Sequence, residues 1–164
     1  MYMVGPMNRI LGLLVLVAAC GTDGNGADSF IGTWTYNPGS TSVRDCPDNA
    51  LDSNVALTGS FQITAGIDSD FIVVPASGDR CPAVKFDVNG KVATIVPGQT
   101  CMFTDTTGGG ALMVNGAYAT GTYTLGADKK SMSGQQAGSV MFTNATGSTT
   151  CSVSGTVTAS KVGN

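Results

Sequence analysis

Histidine and glutamate are both missing from the 164 residues, and tryptophan occurs once. Without histidine or glutamate the commonest general acids and bases are gone. No Gly-x-Ser-x-Gly segment frames a nucleophilic serine, and Ser131 beside Lys129-Lys130 reads as a polar turn. No Cys-x-x-Cys pair is present, which with the missing histidine argues against zinc. "DGNGAD" (Asp23–Asp28) has closely spaced oxygen ligands but lacks the bidentate glutamate of a calcium loop. The pairs Asp45/Asp48 and Asp68/Asp70 read as solvated turn carboxylates, Asn144-Ala145-Thr146 as a polar loop, and Gly108–Gly110 lacks the lysine and helix of a phosphate loop. Charged residues are only 12% of the chain, and the basic ones stand singly except Lys129-Lys130. No basic patch can follow a phosphate backbone, so nucleic acid is not an expected partner. The reading is a chain with no catalytic residues, no cofactor and no metal.

What is present points to strands. All 11 acidic residues are aspartate, Gly alone accounts for 23 positions, and Thr, Ser and Val are abundant. Thr and Val favour strands, while Gly, Asn and Asp favour turns. Three segments show the alternation of half-buried strands. In "VALTGSFQIT", Val55, Leu57, Gly59, Phe61 and Ile63 share a face. In "TCSVSGTVTASK", Cys151, Val153, Gly155, Val157 and Ala159 do the same opposite a Ser/Thr ladder. "AVKFDVNGKVATIV" is a hairpin turning at Asn89-Gly90, the preferred type I′ pair. Further strands are expected at Phe30–Asn37, Phe71–Pro75, Thr100–Thr104, Ala117–Leu125 and Met132–Phe142. The expected fold is all-β: an antiparallel up-and-down β-barrel of about 8–10 strands, or alternatively a β-sandwich.

The N-terminus is different in kind. Arg9 precedes the apolar stretch Ile10–Ala19, which is too short to span a bilayer and has the form of a secretory signal starting best at Met7. Its end, Val17-Ala18-Ala19-Cys20, resembles the lipobox of bacterial lipoproteins. That resemblance implies cleavage before Cys20, a diacylglycerol on its sulfur and acylation of the new amino group. Gly21 replaces the aspartate that marks inner-membrane retention in many such lipoproteins, so the implied address is the outer membrane. Residues 1–19 are then signal, 20–29 ("CGTDGNGADS") a lipidated flexible tether, and 30–164 a single domain. Losing Arg9 moves the formal charge from −3 to −4.

Four cysteines follow Cys20: Cys46, Cys81, Cys101 and Cys151. An even number in an exported chain predicts two disulfides, with three pairings open. Strand directions counted from Phe30 bring Cys46, Cys81 and Cys101 to one end of a meander. Cys151 joins them only if Asn115-Gly116 is a turn that splits Ala111–Leu125. Cys81–Cys101 with Cys46–Cys151 then fits, and Cys46–Cys81 with Cys101–Cys151 competes.

Gly32-Thr33-Trp34, on the first strand, resembles the Gly-x-Trp signature of the calycins, the superfamily of lipocalins and avidins. The resemblance implies a barrel whose closed end is crossed by Trp34. It does not extend to a Thr-Asp-Tyr motif, and a single tryptophan is fewer than avidin-like biotin pockets use. A ligand-binding barrel would open opposite Trp34. Its pocket would draw on Trp34, Phe61, Phe86, Tyr123, Val140 and Phe142, with Gln136 as an orienting polar group. Two functions fit: a lipid-anchored, non-enzymatic module for a small apolar ligand or envelope partner, and a filled-core interaction protein of the envelope (adhesion, assembly or protease-inhibitor type). The expected partners are therefore the membrane, through lipid on Cys20, and one such ligand or protein.

Overall fold

The computed structural model describes residues 25–163 apart from 48, 50, 75–79 and 107–109. Its strands are β1 (Gly32–Tyr36), β2 (Thr41–Asp45), β3 (Ser53–Ala56), β4 (Ser60–Ala65), β5 (Phe71–Val74) and β6 (Val84–Asn89). They continue as β7 (Val92–Ile95), β8 (Thr100–Asp105), β9 (Leu112–Leu125), β10 (Ser131–Asn144) and β11 (Gly147–Gly163). The helical element among the described residues is the 3-10 turn Ala27–Ser29. Among the described residues no helix is long and apolar enough to cross a membrane.

Eight strands, β1-β4-β5-β6-β7-β9-β10-β11, close into an antiparallel barrel through the β1–β11 pairing. This is the up-and-down barrel of the expectation rather than the sandwich. The remaining segments are continuations. β1 and β2 both run along β11, Tyr36 opposite Ala159 and Thr41 opposite Thr156, so residues 37–40 bulge where the partner has only 157 and 158. Ser40 holds the bulge: its hydroxyl donates to the Thr158 carbonyl and accepts from the Thr158 amide. Likewise β3 continues into β4 across Leu57–Gly59, and both β7 and β8 lie along β9. "VALTGSFQIT" is thus two short strands, broken where Gly59 adopts φ 81°, a left-handed conformation that favours glycine.

The long strands carry the binary pattern. On β10, Met132, Gly134, Gln136, Gly138 and Val140 turn inward between exposed Ser133, Gln135, Ala137 and Ser139. A row of Ser and Thr on β9, β10 and β11 therefore meets water, and the barrel leaves no edge in its lower half. The upper half is different: among the described residues β5 and β6 are short, and β8-β9-β10-β11-β2-β3 extend there, with edges at β8 and β3.

Two expectations need correction. Asn115-Gly116 is no turn, because Leu112–Leu125 is one continuous strand with Asn115 opposite Met102 and Met141. The second concerns the domain's start, drawn at Phe30. Packed structure already includes Asn25–Ser29: the Gly90 amide donates to the Asn25 carbonyl at 2.8 Å, and Ala27 is buried.

Candidate functional site

The closed end of the barrel is a stack of rings. Trp34 and Phe30 are fully buried, and the indole Nε1 donates to the Phe30 carbonyl at 2.7 Å, tying the 3-10 turn to β1. Above them, Phe30, Phe71, Phe86 and Tyr123 stack in succession with centroids 5.1, 5.0 and 5.0 Å apart. Such offset ring pairs add to the area they bury. Ile63, Leu125, Met132 and Ala159 fill the space around the column. Lys161 covers the outside, its ammonium 5.8 Å from the Trp34 ring centre and bonded to the Ser29 carbonyl, with partial burial lowering its proton affinity.

Above Phe86 and Tyr123 the filling stops. A cavity of about 280 Å³ opens there between Tyr36 and Phe61 (ring centres 4.6 Å apart), Leu57, Val73, Val84 and Tyr118. Its rim carries Ser42, Thr58 and Ser60. A second cavity of about 140 Å³ adjoins it, sharing Cys81, Tyr118 and Gln136, and continues up to Gly138, Val140 and Val153. Larger hollows of about 450 and 630 Å³ lie on the outer Thr/Ser wall and at the upper tip around Phe142. They are surface grooves floored largely by exposed hydroxyl and amide side chains, so the interior cavity is the better candidate.

Glycines seat two of the side chains that line that interior cavity, Gln136 and Tyr123. Gln136 pairs across the sheet with Gly121 on one side and Gly155 on the other. A Cβ at Gly155 would stand 3.0 Å from Gln136 Cγ, and one at Gly121 would be 3.2 Å from Gln136 Cβ and overlap Ile95. The Gln136 side chain occupies the room those missing Cβ atoms leave. Gly134 does the same for Tyr123, whose ring would overlap any Cβ placed there. The Tyr123 hydroxyl donates to Gln136 Oε1 at 3.2 Å. Burial pushes the Tyr123 phenol well above its ordinary value, with Tyr36 and Tyr118 adding to the shift. Tyr36 is raised as well, again by burial.

Among the described residues no Asp, Lys or Arg lines either interior cavity. Arg44 bonds to the Leu51 carbonyl and sits 5.2 Å over the Phe142 ring. Arg80 lies 5.3 Å over Phe103, donates to the Thr104 carbonyl and stands 4.0 Å from Asp105. The aspartates near turns are structural. Asp70 Oδ2 accepts the Val88 amide at 2.6 Å, Asp52 Oδ1 the Cys46 amide at 2.7 Å, and Asp68 pairs with Lys85 at 3.5 Å. Among the described residues no group of three His, Cys, Asp or Glu side chains could hold a metal.

The residues expected from sequence separate into two groups. Phe61, Phe86, Tyr123 and Gln136 converge on the main cavity, and Val140 lines the adjoining one. Trp34 does not line the pocket; it lies in the sealed floor below it. Phe142 is misplaced by the expectation, because β10 is long enough to carry it to the upper tip beneath Arg44. Sequence reading missed Tyr36, Leu57, Val73, Val84 and Tyr118. Tyr36 shares the face of Trp34 two residues away, so its alternation signal was present. Tyr118 was hidden, because the register shift between Ala137 and Gly138 displaces it from the alternation of "TGTYT". Disulfides join Cys46 to Cys151 and Cys81 to Cys101, with Cα atoms 4.3 and 5.1 Å apart. Cys20 lies outside the described residues.

Comparison with known proteins finds no family model, no curated protein and no solved structure that matches this chain.

Proposed function

We propose that the protein is a lipid-anchored binding module of the bacterial envelope, held at the outer membrane through lipid on Cys20, whose barrel takes a small, largely apolar ligand without chemical conversion. The observation that carries the reading is the aromatic-lined cavity resting on a sealed floor. A barrel this size can fill its interior with side chains, and the lower half does so. In the upper half the smaller cavity is walled in part by Gly116 and Gly138, and a Cβ at Gly116 would meet nothing nearer than 3.8 Å. The lipid anchor rests on the Val17-Ala18-Ala19-Cys20 junction alone. Ligand binding is tested by thermal denaturation against sterols, fatty acids and aromatic metabolites. A rise in melting temperature is expected with an aromatic compound, and no rise with any would reject the reading. Anchoring is tested separately: the protein should enter the detergent phase on partitioning, and Cys20→Ser should leave it in the aqueous phase.

A second reading is favoured by a different observation. The upper sheet ends in strand edges at β3 and β8, which suit an interaction protein that adds a partner's strand to its own sheet. Such a protein would show no ligand shift but would bind an envelope protein, and prolines placed in β3 would abolish that binding.

A further inference from the structure

The two interior cavities are walled mainly by aromatic and aliphatic side chains, with the hydroxyls of Ser42, Thr58 and Ser60 at the rim, and among the described residues they contain one side-chain amide, that of Gln136. Its Oε1 is already taken by the Tyr123 hydroxyl. Its Nε2 carries two protons, and among the described residues no acceptor takes either of them. The neighbouring strands give up their Cβ atoms at Gly121 and Gly155 for this side chain, an arrangement a simple apolar core would not need. An uncharged donor with spare protons, set beside aromatic rings and with no cation among the described lining residues, discriminates between ligands in two ways. It favours a neutral acceptor that completes its bonding, and it offers no counter-charge to an anion, which would be desolvated without compensation.

We infer, building on the ligand-binding reading above, that the barrel selects an uncharged, planar, ring-bearing ligand with a carbonyl-type acceptor aimed at Gln136 Nε2, and discriminates against the carboxylate of the same shape. The stack of Phe86 on Tyr123 ends at the cavity floor, so a planar ring has an aromatic face to continue. Tyr36 and Phe61 form the side wall against which its edge would rest.

Three compounds of nearly equal shape test this. 2-Acetylnaphthalene is a neutral acceptor, 2-naphthoate an anion, and 2-ethylnaphthalene has neither property. Titration of the purified protein, followed by calorimetry or naphthyl fluorescence, should show 2-acetylnaphthalene binding about tenfold tighter than 2-ethylnaphthalene, the worth of one buried hydrogen bond. 2-Naphthoate should bind at least as weakly as 2-ethylnaphthalene. Gln136→Leu should bring the ketone down to the affinity that 2-ethylnaphthalene shows on the same variant. Gln136→Met, which keeps the length without any N–H or O–H, should erase the ketone's advantage too and covers the case in which the leucine variant fails to fold. Naphthoate binding as tightly as the ketone, or a ketone preference that survives both variants, would overturn the inference. Binding of 2-ethylnaphthalene without any preference would overturn the inference alone. If none of the three binds, the ligand-binding reading falls with it.

Discussion

The lower and upper halves of this barrel are built from the same strands and held by different forces. Below, all eight strands are present and the interior is filled by Trp34, the ring column from Phe30 to Tyr123, and aliphatic side chains. Above, among the described residues, six strands continue past β5 and β6, and both disulfides are found there. Hydrophobic burial suffices where the wall closes. Where the wall is incomplete, covalent bonds replace the missing neighbours. Cys46–Cys151 ties β2's end to β11, and Cys81–Cys101 ties the approach to β6 onto β8. The cavity lies where one regime gives way to the other.

That contrast can be broken at several points, starting with the largest effect. Trp34→Ala removes a fully buried side chain and the bond to the Phe30 carbonyl, and should cost about 3–5 kcal/mol by denaturant unfolding. Val140→Ala in the half-buried upper wall should cost roughly 1 kcal/mol, because less apolar area leaves contact. Equal losses at the two sites would mean that the halves are not distinct.

Next come the disulfides. Their sequence separations are 105 and 20 residues, so loop-closure entropy predicts that Cys46→Ser/Cys151→Ser costs about 5 kcal/mol and Cys81→Ser/Cys101→Ser about 3 kcal/mol. Hydrogen exchange sharpens the comparison: in both variants protection should fall in β8 and β2 while β4 and β9's lower half keep theirs.

Glycine substitutions should differ within one wall. Gly134→Ala drives a methyl into the Tyr123 ring and the Thr122 carbonyl, for about 1–3 kcal/mol. Gly116→Ala, whose Cβ would meet nothing nearer than 3.8 Å, should stay within about 0.5 kcal/mol and merely narrow the upper cavity.

The smallest effect is read against pH. The folded state holds the Tyr123 proton more tightly than the unfolded chain, so this stabilisation is whole below the unfolded value near 10.0 and is lost as pH rises past it. Melting temperature should therefore drop above that pH. The drop should shrink in Tyr123→Phe, with a remainder from Tyr36. At neutral pH the same variant loses one hydrogen bond to Gln136, about 1 kcal/mol. An unchanged alkaline drop would mean that the phenol is not buried as described.

How much of this was legible in the sequence depended on whether a residue's neighbours were local. The Asn89-Gly90 turn and the inward row Cys151-Val153-Gly155-Val157-Ala159 are local patterns, and both stand in the structure. The pairing found, one of two that the strand count leaves open, follows from two errors that cancel. Taking β8 as a strand separate from β7 reversed the direction count, and an imagined turn at Asn115-Gly116 reversed it again. Breaks such as 37–40 are set by what lies opposite on β11, which no local periodicity reports. For the same reason Gln136 could be named as polar and inward, while the paired glycines that seat it could not. Their alignment is a matter of register.

The contact between Asn25 and the Asn89-Gly90 turn also sets an orientation. A Cβ at Gly26 would overlap the Gly90 carbonyl, so the incoming chain is pressed against the sealed end of the barrel. Cys20 precedes Asn25 by five residues, at most about 18 Å of fully extended chain. A protein anchored at Cys20 would therefore stand with its sealed end toward the bilayer and its mouth facing away. The cavity would then open toward the aqueous compartment, and lipids of the anchoring leaflet would have no direct path to it.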